Sequence, residues 1–165
     1  MIILRSDRRR LLLALGLLLL LHFTLRPRFG HPESAPDFLL LALLVFSIRS
    51  RPGAAAVMGF IIGVLGDSLT PARFGAGALA HTVVGYLTAW GRAVFFADNL
   101  MVNGAVFFAG TWLRNLIVLM ASGGPGDGLM RQLLIWSPLQ SLTTAISGAI
   151  FLTLFRRWLD IRLEE

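Results

Sequence analysis

Residues Gly66 to Leu69, Gly-Asp-Ser-Leu, form a short motif that could indicate covalent catalysis. In serine esterases with these four letters, a histidine removes the proton from the serine hydroxyl before it attacks the ester carbonyl. That histidine is expected in an Asp-x-x-His motif near the C-terminus. The motif occurs nowhere in the sequence, and the last histidine is His81. Because a serine without a positioned base is a weak nucleophile, we interpret the four letters as coincidental and expect no catalytic role for Ser68.

Other kinds of site chemistry find no support in the sequence either. A metal-binding helix typically carries two histidines four residues apart, whereas His22, His31 and His81 have no such spacing. The run Gly75–Ala80 lacks the strand and the downstream acidic residue of a dinucleotide-binding fingerprint. The chain has no cysteine, which excludes thiol catalysis and thiolate ligands. We therefore expect no catalytic residue, no metal and no cofactor, and predict that the protein is not an enzyme.

The composition indicates the environment of the chain. Apolar residues make up 56% of its 165 residues, above the roughly 45–50% of an ordinary soluble domain, and the mean hydropathy is +0.74. This excess recurs from Leu11 to Leu154, so we predict an integral membrane protein with a single transmembrane domain, residues 1–165. All 15 basic residues are arginines that punctuate the apolar segments. They form no continuous basic face, so nucleic acid is not an expected partner.

Six apolar segments, separated by Pro, Gly or charged residues, predict an all-α fold, a six-helix transmembrane bundle. The second segment has only about a dozen strictly apolar residues, against the roughly 17–25 that span a bilayer, so five spans remain the alternative. Pro138 is expected to kink the beginning of the last helix. The predicted helices cover about residues 10–26, 34–48, 54–69, 75–91, 99–120 and 130–157.

The arginines also predict the orientation, because positive residues concentrate on the cytoplasmic side of membrane helices. With six spans and a cytoplasmic N-terminus, ten arginines lie inside, four lie outside, and Arg114 lies within a span. Both termini are therefore predicted to be cytoplasmic. The inside positions are Arg5, Arg8, Arg9, Arg10, Arg49, Arg51, Arg92, Arg156, Arg157 and Arg162, and the outside positions are Arg26, Arg28, Arg73 and Arg131.

Small residues recur at helical spacing on the third and fourth segments. In lipid such faces let helix backbones approach closely, since apolar side chains alone do not drive helices together there. We expect this face to serve helix packing or partner docking. Its residues are Gly59, Gly63 and Gly66 on the third segment and Gly77, His81 and Gly85 on the fourth.

The sixth segment carries a polar stripe on an otherwise apolar helix. The stripe could line a ligand cavity, contact a partner protein, or contact other helices of the bundle. The last is the usual role of polar residues in membrane helices, which mostly face the bundle interior. Its residues are Ser137, Gln140, Ser141, Thr144 and Ser147.

Two ionisable residues, Asp67 and Arg114, are difficult to assign to a helix end. Asp67 lies 14 residues after Gly53, where the third helix enters from the inside, and Arg114 lies 15 residues after Asn99, where the fifth does. At about 1.5 Å per residue, both lie roughly 21–23 Å from the cytoplasmic side. Charges inside a membrane usually find a partner. Equal depth and opposite charge therefore predict an intramembrane ion pair.

The stretch Pro36–Leu87 resembles the family of the rod shape-determining protein MreD. The family pattern is a Pro before an apolar helix, an Arg-Pro pair, Gly-Phe-x-x-Gly-x-x-x-Asp, and a Gly- and Ala-rich helix that ends in Gly-Tyr. The resemblance covers about a third of the chain well, and the last two helices match only in character. The matching residues are Pro36, Arg51, Pro52, Gly59, Phe60, Gly63, Asp67, Gly75, Gly85 and Tyr86.

The resemblance implies a non-enzymatic scaffold of the cell-elongation machinery in the bacterial inner membrane. Its direct partner would be MreC, with MreB, RodA and PBP2 as further members of the complex. The family is similar in fold to the substrate-binding S-components of energy-coupling-factor vitamin transporters. An S-component is therefore the alternative function, although no small-molecule substrate is expected for a scaffold.

Overall fold

The computed structural model describes residues 5–31, 33–69, 74–94, 99–123 and 128–155. Within these ranges the chain is helical and contains no strand, which confirms the all-α prediction. A 3₁₀ turn, Arg26–Arg28, follows the first of the six helices. In chain order the helices are α1 (Arg5–Thr24), α2 (Phe38–Ser47), α3 (Pro52–Ser68), α4 (Ala76–Val94), α5 (Leu100–Ala121) and α6 (Leu129–Phe155).

Three helical stretches are long and apolar enough to cross a membrane: Arg9–Arg28, Leu100–Ala121 and Leu129–Phe155. Two further helices, α2 and α3, are apolar but shorter. Exposed large apolar side chains are distributed over the outside of the bundle, among them Leu13, Ile61 and Ile146. In lipid this is the expected surface, because acyl chains are as apolar as leucine.

Helix α2 is the core of the bundle. Every residue from Leu39 to Val45 is at most 4% exposed, and four of its leucines have no exposed surface. A helix that is apolar on all sides is either buried among other helices or exposed to lipid. Here α1, α3, α4, α5 and α6 all contact α2. With 10 residues the helix is about 15 Å long, half the thickness of a bilayer core, which explains why its segment looked short for a span.

Two helix boundaries differ from expectation for local reasons. Helix α2 begins at Phe38 rather than near residue 34, because the Asp37 side chain caps it and Asp37 itself is not helical (φ −93°, ψ 90°). In α6, the five residues Gln132–Trp136 form a π turn just before Pro138. Proline has no N–H to donate to the carbonyl four residues earlier, and a wider turn accommodates that loss. The irregularity expected at Pro138 therefore lies immediately before it.

Helices α3 and α4 pack with their backbones in close contact. A Cβ atom added to Gly59 would lie against the carbonyl oxygen of His81, and one on Gly63 would lie 2.6 Å from the carbonyl oxygen of Gly77. On the α4 side, a Cβ on Gly85 would lie 2.6 Å from the carbonyl oxygen of Ala55. These glycines are thus required by contact between two helices of the same chain. Gly66 is not, since its added Cβ would meet only a leucine methyl at 3.8 Å.

We expect Gly63→Ala to lower the thermal stability of the purified protein in detergent, because the new methyl group has to push two backbones apart. Overpacking of this kind typically costs about 1–3 kcal/mol. Gly104→Ala on α5 is the matched control, since an added Cβ there meets nothing within 4 Å. The control should unfold at the same temperature or slightly higher, because alanine favours a helix interior more than glycine does. Equal losses in the two variants would contradict close α3–α4 packing.

Candidate functional site

The N-terminus of α2 lies inside the bundle, where its free amides need acceptors from the protein itself. Asp37 supplies the first, because its Oδ1 accepts a hydrogen bond from the N–H of Leu40 at 3.1 Å. Its own N–H donates to the Thr144 hydroxyl of α6 at 3.0 Å. The Asp37 side chain is 1% exposed. This carboxylate is therefore a fully buried helix cap.

His22 of α1 provides a second cap for the same helix. Its Nδ1 accepts a hydrogen bond from the N–H of Leu39 at 3.3 Å. Nε2 of the same ring lies 3.3 Å from Nη1 of Arg26, one turn further along the chain. Because Nδ1 accepts from the Leu39 N–H, its 3.7 Å separation from Oδ1 of Asp37 is a contact and not an ion pair. The last turn of α1 is thereby joined to the first turn of α2.

Arg114 of α5 balances the charge of Asp37. Its Nη2 lies 3.4 Å from Oδ2 of Asp37, and its Nη1 donates to Oδ1 of Asn115 at 2.8 Å. Asn115 in turn donates to Oε1 of Gln140 on α6 at 2.8 Å, and Gln140 donates to the carbonyl of Ala35 at 3.2 Å. Polar groups from α1, α2, α5 and α6 thus form one connected set. We name it the Asp37 cluster: His22, Asp37, Arg114, Asn115, Gln140 and Thr144.

Asp67 performs the same task for α4 as Asp37 does for α2. Its carboxylate accepts three backbone hydrogen bonds, from the N–H groups of Gly75 (2.8 Å), Gly77 (3.0 Å) and Ala78 (2.9 Å). Neither Phe74 nor Gly75, which directly precede α4, carries a side-chain oxygen that could cap it. Asp67 therefore supplies from α3 the cap that α4 lacks, and a negative charge is favourable at a helix N-terminus.

The predicted ion pair between Asp67 and Arg114 is wrong. Asp67 binds the amides of α4, while Arg114 lies against Asp37. Counting residues along two helices estimates their depth, but not which faces the two helices turn to each other. The sequence does place Asp37 at the start of the most apolar segment. A carboxylate at the start of a helix that has to be buried needs a cation, and this is the signal that would have found the pair.

Most positions of the predicted packing face of α3 and α4 are buried. His81 is 2% exposed, and its Nδ1 lies 2.7 Å from the carbonyl oxygen of Gly77. Gly77 itself faces the Asp67 carboxylate. The packing face of α3 and α4 is thus occupied by contacts within the chain and offers little surface to a partner.

The Ser68 hydroxyl donates to the carbonyl of Leu65 at 2.7 Å, within the last turn of α3. It has no base beside it among the described residues.

The polar stripe of α6 also faces the interior. Two of its residues form hydrogen bonds with other elements: Gln140 with Asn115 and Ala35, and Thr144 with the N–H of Asp37. Ser141 donates to the carbonyl of Ser137 in its own helix at 2.7 Å, and both residues are buried. Ser147 is half-buried. These contacts favour the interpretation of the stripe as helix contact within the bundle.

An apolar cavity of about 450 Å³ lies between α4 and α5. Val84 and Leu87 line it from α4, and Val102, Ala105 and Ala109 from α5. Among the residues that the structure describes, no group of three or more His, Cys, Asp or Glu could hold a metal ion.

A helical bundle with membrane-length helices, in which buried carboxylates cap helices, defines an integral membrane protein without a recognisable reaction centre in its described part. Comparison with protein-family models matches residues 6–157 to the family described as rod shape-determining protein MreD. The chain belongs to this family, which confirms the resemblance seen in the sequence. No curated protein and no solved structure matches the chain.

Double-mutant cycles distinguish the observed ion pair from the one first expected. We expect Asp37→Asn and Arg114→Gln to be coupled in the free energy of unfolding, by the 0.5–3 kcal/mol typical of residues in contact. Asp67→Asn combined with Arg114→Gln should instead be additive to within about 0.5 kcal/mol. The measurement is unfolding of the protein in detergent or nanodiscs. Coupling of Asp67 and not of Asp37 to Arg114 would contradict the assignment.

Proposed function

We propose that the protein is a non-enzymatic component of the bacterial cell-elongation complex in the inner membrane. In this function it binds MreC directly and supports MreB-directed lateral peptidoglycan synthesis, with RodA and PBP2 as further members of the complex. The observation that carries the proposal is the family match, which extends over nearly all of the helical bundle.

The use of polar groups in the bundle supports a scaffold. Asp37 and Asp67 cap helices, and Gln140 and Asn115 bond to each other. Groups held in this way by several helices fix the relative positions of those helices. What remains for a partner within the membrane is the apolar outer surface and the cavity between α4 and α5. A single membrane-spanning helix of the partner would fit such a surface, since helices associate in lipid by close packing.

The proposed orientation has both termini in the cytoplasm, supported by the excess of arginines on that side. In this orientation the N-terminus of α2 and the Asp37 cluster lie in the half of the bundle nearer the outer face. The C-terminal end of α1, which carries His22, and the N-terminal half of α6, which carries Gln140, lie at the same level, as their contacts require.

Copurification tests the proposal. Tagged protein expressed with MreC should recover MreC, and an unrelated single-span membrane protein expressed at the same level should not be recovered. A photo-crosslinking residue at outward positions should form a cross-link to MreC from at least one helix. The control is Leu40, which has no exposed surface and should form none. The outward positions are Leu13, Ile61, Trp90, Ala105 and Ile146.

The S-component alternative predicts the opposite pattern. A vitamin present at a free concentration of 100 times its Kd would raise the free energy of unfolding by about 2.7 kcal/mol. A vitamin panel that raises the unfolding temperature by the corresponding amount, together with no recovery of MreC and no cross-link, would overturn the scaffold proposal. A cross-link from an outward position without any vitamin effect supports it.

A further inference from the structure

Two buried nitrogen atoms in the bundle have no hydrogen-bond partner among the described protein groups: Nε2 of His81 on α4 and Nε of Arg114 on α5. Each has less than 1 Å² of exposed surface, so neither bulk water nor lipid reaches it. Buried polar groups in folded proteins are nearly always satisfied, by protein or by ordered water. This is most important for a charged guanidinium, whose unmade hydrogen bonds are strongly unfavourable.

The chemical character of the two atoms is complementary. Nδ1 of His81 lies 2.7 Å from the carbonyl oxygen of Gly77, which can only accept, so Nδ1 carries the ring proton. Nε2 of the neutral ring is therefore a hydrogen-bond acceptor. Nε of Arg114 is always a donor, because a guanidinium keeps its protons in proteins. One atom thus lacks a donor and the other lacks an acceptor.

The register of α4 and α5 places the two residues at the same level. The two helices are consecutive neighbours, and a Cβ on Gly110 would lie 3.4 Å from Cγ1 of Val84, which aligns these two positions. In an antiparallel pair, one turn back along α4 from Val84 reaches His81, and one turn onward along α5 from Gly110 reaches Arg114. Electrostatics agree with this alignment, because Arg114 and then Asp37 are the charges that act most strongly on His81.

We propose that His81 and Arg114 share one buried water molecule, which extends the Asp37 cluster to α4. The water accepts a hydrogen bond from Nε–H of Arg114 and donates one to Nε2 of His81. An internal water typically makes about three hydrogen bonds, and these two atoms supply two of them, one donor and one acceptor. The cluster otherwise joins α1, α2, α5 and α6. The water gives α4 a polar connection to the same set, at the level where α4 and α5 lie close together.

Solid-state NMR on the full-length protein in lipid bilayers tests the site. We expect magnetisation to pass from a slowly exchanging water to Nε2 of His81 and to Nε–H of Arg114. Arg114→Lys keeps the positive charge but removes Nε–H, and it should shift the Nε2 resonance of His81 and remove its water signal. Nδ1 of His22 is the internal control. It already accepts from the N–H of Leu39, so it should receive no water signal.

Two results would overturn the proposal. The first is direct transfer between Hε of Arg114 and Nε2 of His81 with no water, which would mean that the side chains bond to each other. The second is the absence of any water signal at either atom while both resonances are resolved. If Arg114→Lys does not fold, His81→Phe provides a second test, since it removes the acceptor to which the water donates. The water signal at Nε–H of Arg114 should then disappear.

Discussion

Backbone N–H groups at the start of a buried helix have to find acceptors within the protein, because neither lipid nor a packed interior supplies water. The fold satisfies this requirement with two aspartates. Asp37 caps the helix that it precedes, and Asp67 reaches from α3 to the first amides of α4. By contrast, α5 begins at an exposed end and is capped by its own Asn99. Carboxylates are thus placed where helices begin in the interior, and their positions determine much of the remaining polar structure.

The burial of Asp37 explains the groups around it. A carboxylate with almost no exposed surface is stable only with a cation and further donors, and Arg114 and the Leu40 amide provide them for Asp37. Arg114 then needs acceptors for its other N–H groups, which brings in Asn115 and, through it, Gln140. One short apolar helix in the centre of the bundle therefore fixes the polar residues of three longer helices. A small membrane protein held together in this way presents an apolar outer surface to lipid and to neighbouring membrane proteins.

Much of the fold could be predicted from local patterns. Six apolar segments separated by breaks correspond to six helices, because apolar length and the positions of Pro and Gly are properties of each segment alone. The close approach of α3 and α4 was visible as well, since Gly59 and Gly63 recur at the spacing that allows it. The partner of Asp67 was not predictable in the same way. Its carboxylate binds amides that every residue type carries, so no side chain in the sequence marks them.

The sequence by itself determined that the chain is a helical membrane protein of the rod shape-determining family and that two of its helices pack through glycine. Only the tertiary structure decided that the short second helix is the core and that Arg114 forms its ion pair with Asp37. The physical reason is that depth in a bundle follows from counting residues along one helix, whereas pairing depends on the faces that helices turn to each other. Those faces are set by packing around α2, to which residues from the whole chain contribute.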